Sequence, residues 1–401
     1  MPWSLNLIVL IGAAALPIEF YAASRISNAL DVSTGWRKSR VRLATFVVVF
    51  YPILYPALSF IDFLLSGRAP IQRTGAVWDT LLMYPFWCGI VVIVQFCIIV
   101  VVLDAVSLTL RAVLKTHRER IKSVAAATTL TLAVLATIYC AYRIRRDMFG
   151  VKIAQTTLRI AGLPKDLDGL RIAQITDVHV DNRTHGEKLE HYIDTVNSYH
   201  PDLVIFCGDL ISSGTSYIDQ AAAALGRLKA TQGVYACLGD HDYFSNPDLV
   251  ANSLEKNGMV VLRDSAKILP VGDSSISLTG VTNVYARRPN PSALNALEAA
   301  RPKTALDIFY THQPSNSLID SVAAAGYPLF LAGHTHGGQV VFPLPGFLLT
   351  GSSFETHYVT GFFKKGSTFI SICNGLGMTL APIRYQAPAE ITLIDVRSEG
   401  P

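Results

Sequence analysis

Apolar positions follow two regimes along this chain. Up to about residue 150 they run almost unbroken. Four runs (about 5–24, 42–65, 80–103 and 123–142) each reach the roughly 20 residues that a helix needs to cross a bilayer core of about 30 Å. From Val151 onward, short apolar runs alternate with stretches of helical period. Residues 151–160 alternate as an edge strand does, and 170–175, 203–207, 234–238, 306–310 and 327–332 are strand-length runs. Residues 187–199, with Leu189, Tyr192, Ile193 and Val196 on one face, and about 217–229 predict helices between them. The stretch 260–284 is rich in hairpin signals. The pattern therefore predicts an all-α membrane region over 1–150 and an α/β domain over 151–401.

The ends of the strand runs carry the chemistry. Five of them deliver Asp or His: Asp177 and His179, then Asp209, then Asp240 and His241, then His312, and last His334 and His336 within Gly333-His334-Thr335-His336-Gly337-Gly338-Gln339. Open α/β sheets place their sites beyond the carboxyl ends of the strands. Side chains at i and i+2 leave an extended backbone on the same side, so His334 and His336 can face one cavity that the flanking glycines leave open. A single such residue is ordinarily a helix cap or a turn residue. Eight at five equivalent positions are not all caps. Nitrogen and oxygen donors without a thiolate suit Mn, Fe or Zn and disfavour a structural cysteine-type zinc site. Eight donors exceed the needs of one tetrahedral ion, so two divalent ions sharing a carboxylate is the economical reading. Ion pairs about 3.5–4 Å apart perform phosphate-ester chemistry.

Charge sharpens the division. Mean hydropathy is +0.35. Residues 1–150 hold fifteen Lys and Arg against seven Asp and Glu, whereas 151–401 hold nineteen against twenty-three. The acidic second domain argues against a nucleic-acid partner, and the basic excess fits loops flanking membrane spans, with the lipid bilayer as partner. Arg25, Arg37, Lys38, Arg40 and Arg42 follow the first run, and Arg111, Lys115, Arg118, Arg120 and Lys122 follow the third, against only Arg68 and Arg73 after the second. This predicts a multi-pass protein with its second domain on the exoplasmic or periplasmic side. Arg143, Arg145 and Arg146 pull toward the cytoplasmic side. Residues 1–6 carry no Lys or Arg, so the first run is expected to be a span rather than a cleaved signal. Glu19, Asp62 and Asp104 lie near predicted span ends, where a carboxylate reaches water, and no symmetric broken helices point to a transporter. The second domain has three cysteines, an odd number that cannot pair fully within it; Cys207 and Cys237 read as buried thiols.

The order Asp177-Val178-His179, Gly208-Asp209, Gly239-Asp240-His241-Asp242, His312, Gly333-His334-Thr335-His336 resembles the calcineurin-like metallophosphoesterases, over about 170–396. The Gly337-Gly338-Gln339 continuation, Gly375-Leu376-Gly377 and Pro382-Ile383-Arg384 look like the membrane-linked subgroup of YkuE-like and animal transmembrane phosphoesterases. The resemblance implies a four-layer α/β/β/α sandwich. It implies two metals, one on Asp177, His179 and His336, the other on Asp240, His312 and His334, with Asp209 bridging. His241 would face the leaving-group oxygen, and Asp242 is expected to orient that ring and raise its pKa. Asp240 departs from the family's usual Asn, leaving a formal +1 with two divalent ions where Asn would leave +2; a relative preference for singly charged diesters, or for a higher-valent metal, is expected. Asn374 stands where the subgroup often has a basic residue. The implied activity is hydrolysis of phosphate esters, with phospholipid-like substrates favoured by tethering. The alternatives are a nucleotide-diphospho-lipid pyrophosphatase on the cytoplasmic face and a catalytically weakened metal-binding module. The apolar loop 341–349 reads either as lipid-dipping or as a buried strand and turn. Oligomeric state is not legible.

Overall fold

All four runs expected to cross a membrane are helical, as Trp3–Ser33, Lys38–Ser66, Asp79–Val113 and Lys115–Phe149, each long and apolar enough for the task. The structure, a computed structural model, describes residues 1–34, 38–67, 75–301 and 304–399; Arg37, Arg68, Arg73 and Pro401 lie outside them. The chain forms two compact units, Met1–Arg146 with Leu380–Tyr385, and Asp147–Thr379 with Gln386–Pro401.

In the first unit the helices outrun the apolar stretches because polar residues at their ends continue the helix. The second is interrupted: Lys38–Phe50 and Leu54–Ser66 are joined by a 3₁₀ turn, Tyr51–Ile53, at Pro52, which lacks the N–H and sterically clashes with a continuing helix. Ala22, Phe96, Cys97, Val100 and Ala136 form a shared apolar contact. Asp104 and Glu19 differ from each other: the first stays partly exposed, as expected near a span end, and the second does not. Asp104 is paired, 2.5 Å from Arg25 and accepting from the Tyr21 hydroxyl at 2.7 Å. Glu19 does not reach water: it is buried, and neither of its oxygens has a hydrogen-bond partner among the described residues.

The second unit is built on two six-stranded sheets. The first contains β1 (Val151–Ile160), β2 (Arg171–Ile175), β3 (Leu203–Phe206), β4 (Val234–Ala236), β5 (Val260–Val261) and the last strand, β14 (Ala389–Ser398), in the order β1-β14-β2-β3-β4-β5. The second contains β6 (Ser265–Val271), β7 (Ser274–Gly280), β8 (Leu306–Tyr310), β9 (Leu329–Ala332), β12 (Gly361–Lys365) and β13 (Thr368–Ile372), in the order β12-β13-β9-β8-β7-β6. Between β9 and β12, β10 (Phe342–Leu344) and β11 (Phe347–Leu349) pair as a hairpin of their own. Edge strand β1 is as expected. Its partner β14 is not among the predicted strands; it pairs in parallel with β1 and antiparallel with β2.

Side-chain alternation makes the layers. In β3, Leu203 and Ile205 face the second sheet, joining Ile308, Tyr310, Leu329 and Leu331, while Val204 and Phe206 face the helices Gly186–Ser198 and Ile218–Leu225. The second sheet repeats this: Phe309 and Phe330 turn outward onto Ile319 and Val322 of the helix Asn316–Ala324. The result is the expected four-layer α/β/β/α sandwich. Cys207 and Cys237 lie buried and unpaired in the central layer. The five site-bearing strands divide between the sheets, with β2, β3 and β4 in one and β8 and β9 in the other. Each group is parallel, and the residues that follow the strands of both sheets come together at one end of the sandwich.

Candidate metal centre

At that end the chain leaves each strand abruptly. Asp177, His179, Asp209, His334 and His336 all have φ between 46° and 69°. A non-glycine residue in this left-handed region costs on the order of 1 kcal/mol or more, and such residues gather at functional sites. Backbone bonds between the two loops hold them there: Asp177 N–H donates to Gly208 O at 2.9 Å, and His179 N–H to Asp209 O at 3.1 Å. Two glycines permit the close approach. A Cβ on Gly333 would lie 2.0 Å from Thr176 Oγ1, and one on Gly239 would lie 2.2 Å from Asp209 Oδ1.

The result is two clusters that share one residue. Asp177, His179 and His336 form the first: His336 Nε2 is 3.4 Å and His179 Nε2 3.8 Å from Asp177 Oδ1, and the two ring nitrogens are 3.1 Å apart. Asp240, His312 and His334 form the second, with His334 Nδ1 at 3.0 Å and His312 Nε2 at 3.4 Å from Asp240 Oδ2. Asp209 Oδ2 stands 3.3 Å from His179 Nε2 and 3.3 Å from His312 Nε2. Donors about 2.1 Å from a common ion are about 3.0–3.4 Å from one another, so all of these separations but the 3.8 Å one are those of ligand sets. Asp177 Oδ1 and His312 Nε2 are buried with no hydrogen-bond partner among the described residues. Such orphaned acceptors are costly unless a cation takes them up, so the residues present fit a pair of metal ions. His312 Nδ1 lies 2.8 Å from Cys207 O, a contact that fixes its proton on Nδ1 and leaves Nε2 to coordinate.

The electrostatics agree. Burial alone would push His179 and His334 down, but the carboxylates beside them, Asp177 and Asp209 for the first and Asp240 and Glu355 for the second, outweigh it and raise each to about 9. Burial pushes Asp209 up, but the surrounding histidines outweigh it and hold the carboxylate well below its usual range. Protons here stand in for positive charge that the carboxylates demand; divalent ions supply it without them.

His241 and Asp242 correct two expectations. Burial pulls His241 below the ordinary histidine range, with the nearby His179 charge adding to it, so the ring is not held as an imidazolium. Its Nδ1 lies 2.5 Å from Ser212 O, which only accepts, so the proton is on Nδ1; Nε2 faces Thr379 Oγ1 at 3.2 Å. Asp242 is committed elsewhere. Its carboxylate accepts from the backbone N–H groups of Asp209 (3.0 Å), Leu210 (2.9 Å) and Gly239 (2.8 Å), tying two of the site loops together. Burial, reinforced by the Asp209 charge, pushes Asp242 up to about 7.

Sequence reasoning missed a layer around Asp240 and His334. Gln313 Nε2 donates to Asp240 Oδ2 and the Tyr285 N–H to Asp240 Oδ1, each at 2.5 Å. Glu355 Oε2 lies 3.0 Å from His334 Nε2, and the Tyr285 hydroxyl donates to Glu355 Oε1 at 2.5 Å. Only Gln313 had a signal, its place directly after His312. Asn374 packs beside the metal loop, where a Cβ on Gly337 would be 2.3 Å from its Oδ1.

The calcineurin-like phosphoesterase family matches residues 170–338. An uncharacterized metallophosphoesterase of Bacillus subtilis, YkuE, is 30% identical over 254 residues, which are 62% of this chain and 86% of the relative. A transmembrane protein with metallophosphoesterase domain from Danio rerio is 27% identical over 281 residues, 66% of this chain and 62% of that protein. Among solved structures, a hypothetical protein from Thermus thermophilus is 19% identical, with a TM-score of 0.35 over 51% of this chain and 76% of that one.

Proposed function

The chain belongs to the calcineurin-like phosphoesterases, and on that premise we propose that it is a membrane-anchored hydrolase that holds two divalent ions (Mn, Fe or Zn) and cleaves phosphate esters of amphiphilic, phospholipid-like substrates. The observation that carries the reading is Asp209, equidistant from a histidine of each cluster. Four apolar helices in the same chain support the amphiphilic substrate, because enzyme and lipid then share a surface at high effective concentration.

Bound ions would supply an acidified water as nucleophile and take up charge on the phosphate. The chain's own contribution is positioning. Asp177, His179 and His336 would hold one ion, Asp240, His312 and His334 the other, and Asp209 both. Cys207 O holds the proton of His312 on Nδ1, keeping the coordinating nitrogen bare. Ser212 O does the same for His241, so His241 Nε2 is the atom that would take up a proton from water and pass it to the departing ester oxygen.

The test is an assay series on the full chain in lipid. The wild type is expected to bind two ions and to hydrolyse nitrophenyl phosphate esters. His241→Ala should keep both ions and lose roughly 10²–10⁴-fold in kcat. Two bound ions without turnover of any mono- or diester would sink the hydrolase reading in favour of a metal-binding module. In the same series Asp240→Asn removes a charge held by Gln313 and Tyr285. It should shift the rate ratio toward doubly charged monoesters; an unchanged ratio would exclude the charge argument.

We place the catalytic unit on the exoplasmic or periplasmic side, on the strength of the basic loops after the first and third spans. A reporter fused after Pro401 that fluoresces only when folded in the cytoplasm should stay dark. Fluorescence would favour the second reading, a cytoplasmic nucleotide-diphospho-lipid pyrophosphatase, which Arg143, Arg145 and Arg146 support.

A further inference from the structure

Residues 337–354 contain no charged side chain, yet this stretch begins directly after His336 and ends directly before Glu355, both at the metal centre. Within it β10 and β11 pair as Phe342 with Leu349, Pro343 with Leu348 and Leu344 with Phe347. The tip turns at Pro345-Gly346, where Gly346 has φ +87°, the arrangement a type II turn requires. Phe347, Leu348 and Leu349 are all exposed, so β11 presents apolar side chains on both faces, and Phe354 beside it is 86% exposed. A short hairpin with apolar residues on both faces is not explained by packing within its own unit. A contiguous exposed apolar patch of this kind marks an interaction surface.

We propose that the β10–β11 hairpin is a lipid-insertion element that seats the metal centre at the headgroup level of the bilayer. This rests on the membrane-anchored reading above and adds the way in which substrate is reached. Four observations select lipid as the occupant. The chain brings its own bilayer, with four candidate spans, and the last span helix and β1 are consecutive elements separated by Gly150 alone. The patch has no charge to desolvate. Pro343 and Pro345 remove two backbone N–H groups at the tip, where an unpaired donor would oppose entry into hydrocarbon. The size also fits: strands of three residues reach about 10 Å, comparable to the roughly 5–10 Å to which interfacial elements sink.

The base of the hairpin is fastened to the metal loop. Thr350 Oγ1 donates to Gly338 O at 2.7 Å, Ser352 Oγ donates to Thr335 O at 3.0 Å, and Glu355 reaches His334. The depth of the tip therefore sets the height of His334 and His336 above the acyl chains, where the phosphate of an amphiphile lies.

The experiment places photoreactive benzoylphenylalanine at position 347 or 354 of the full chain in phosphatidylglycerol/phosphatidylethanolamine vesicles. Position 102, in the third span and exposed, serves as positive control, and position 268, an exposed apolar site on β6 outside the patch, as negative control. Irradiation should give lipid adducts at 347 and 354 severalfold above those at 268 and comparable to those at 102. Adducts at 347 and 354 no more frequent than at 268, or cross-links there to a second copy of the chain or another protein in place of lipid, would overturn the proposal. Adduct formation needs no turnover, so the two readings fail separately. A chain that labels lipid but hydrolyses nothing loses only the hydrolase reading, and one that hydrolyses without labelling loses only the hairpin.

Discussion

Asp209→Asn is expected to empty the centre. The Asp209 carboxylate presents Oδ2 to a histidine of each cluster at 3.3 Å, while Oδ1 accepts the His241 N–H at 2.8 Å. An amide has one oxygen. If that oxygen faces the clusters, an NH₂ meets the His241 N–H; if it faces His241, the NH₂ points at two would-be cations. Either way the bridge and its negative charge are lost. Metal affinity should fall by more than the roughly 100-fold that loss of an outer-shell partner costs. Hydrolysis should fall by at least about 10³-fold, the upper range for removing one preorganised charge-stabilising group. Ion stoichiometry by elemental analysis, with a melting curve to show that the unit is folded, separates this from misfolding. A folded variant that keeps two ions and wild-type turnover would remove Asp209 from the bridging position.

Why the clusters were readable in the sequence and the layer around them was not follows from distance along the chain. Asp177, Asp209, Asp240, His312 and His334 each stand within a few residues of the end of an apolar run, so local pattern alone located them. The sheet to which each strand belongs depends on pairing between distant segments, and the repeated strand ends look alike whether they lie in one open sheet or, as here, in two. Glu355 meets His334 across 21 residues only because the intervening hairpin folds back. Tyr285 contributes a backbone N–H, which no residue type advertises. In the membrane unit, length and hydropathy sufficed to find the four helices, but not their ends, the break at Pro52 or the burial of Glu19, which are set by packing between helices.

Asp242 is where adjacency in the sequence misled, and its replacement should have the largest effect on stability. Standing next to His241, it looked like a partner of that ring; in the fold its two oxygens take three backbone N–H groups from the loops after β3 and β4. Asp242→Ala would leave those three donors without a partner in a fully buried site. At about 1–3 kcal/mol for each unsatisfied buried group, the loss is several kcal/mol, comparable to the entire stability of a typical domain, about 5–15 kcal/mol. The second unit of the Ala variant should therefore melt far below the wild type or fail to fold. Asp242→Asn keeps one acceptor oxygen, which can serve the two N–H groups now on Oδ2, but turns an NH₂ toward the Leu210 N–H. Its melting temperature should fall between the two. Because the Asp209 backbone is one of the three donors, loosening it should also weaken metal binding in the Asn variant. A ring-orienting role predicts the opposite pattern: Asp242→Asn would melt as the wild type, bind both ions and lose only turnover. Melting curves and ion content of the two variants, measured side by side, decide between an anchor of the site loops and an auxiliary of His241.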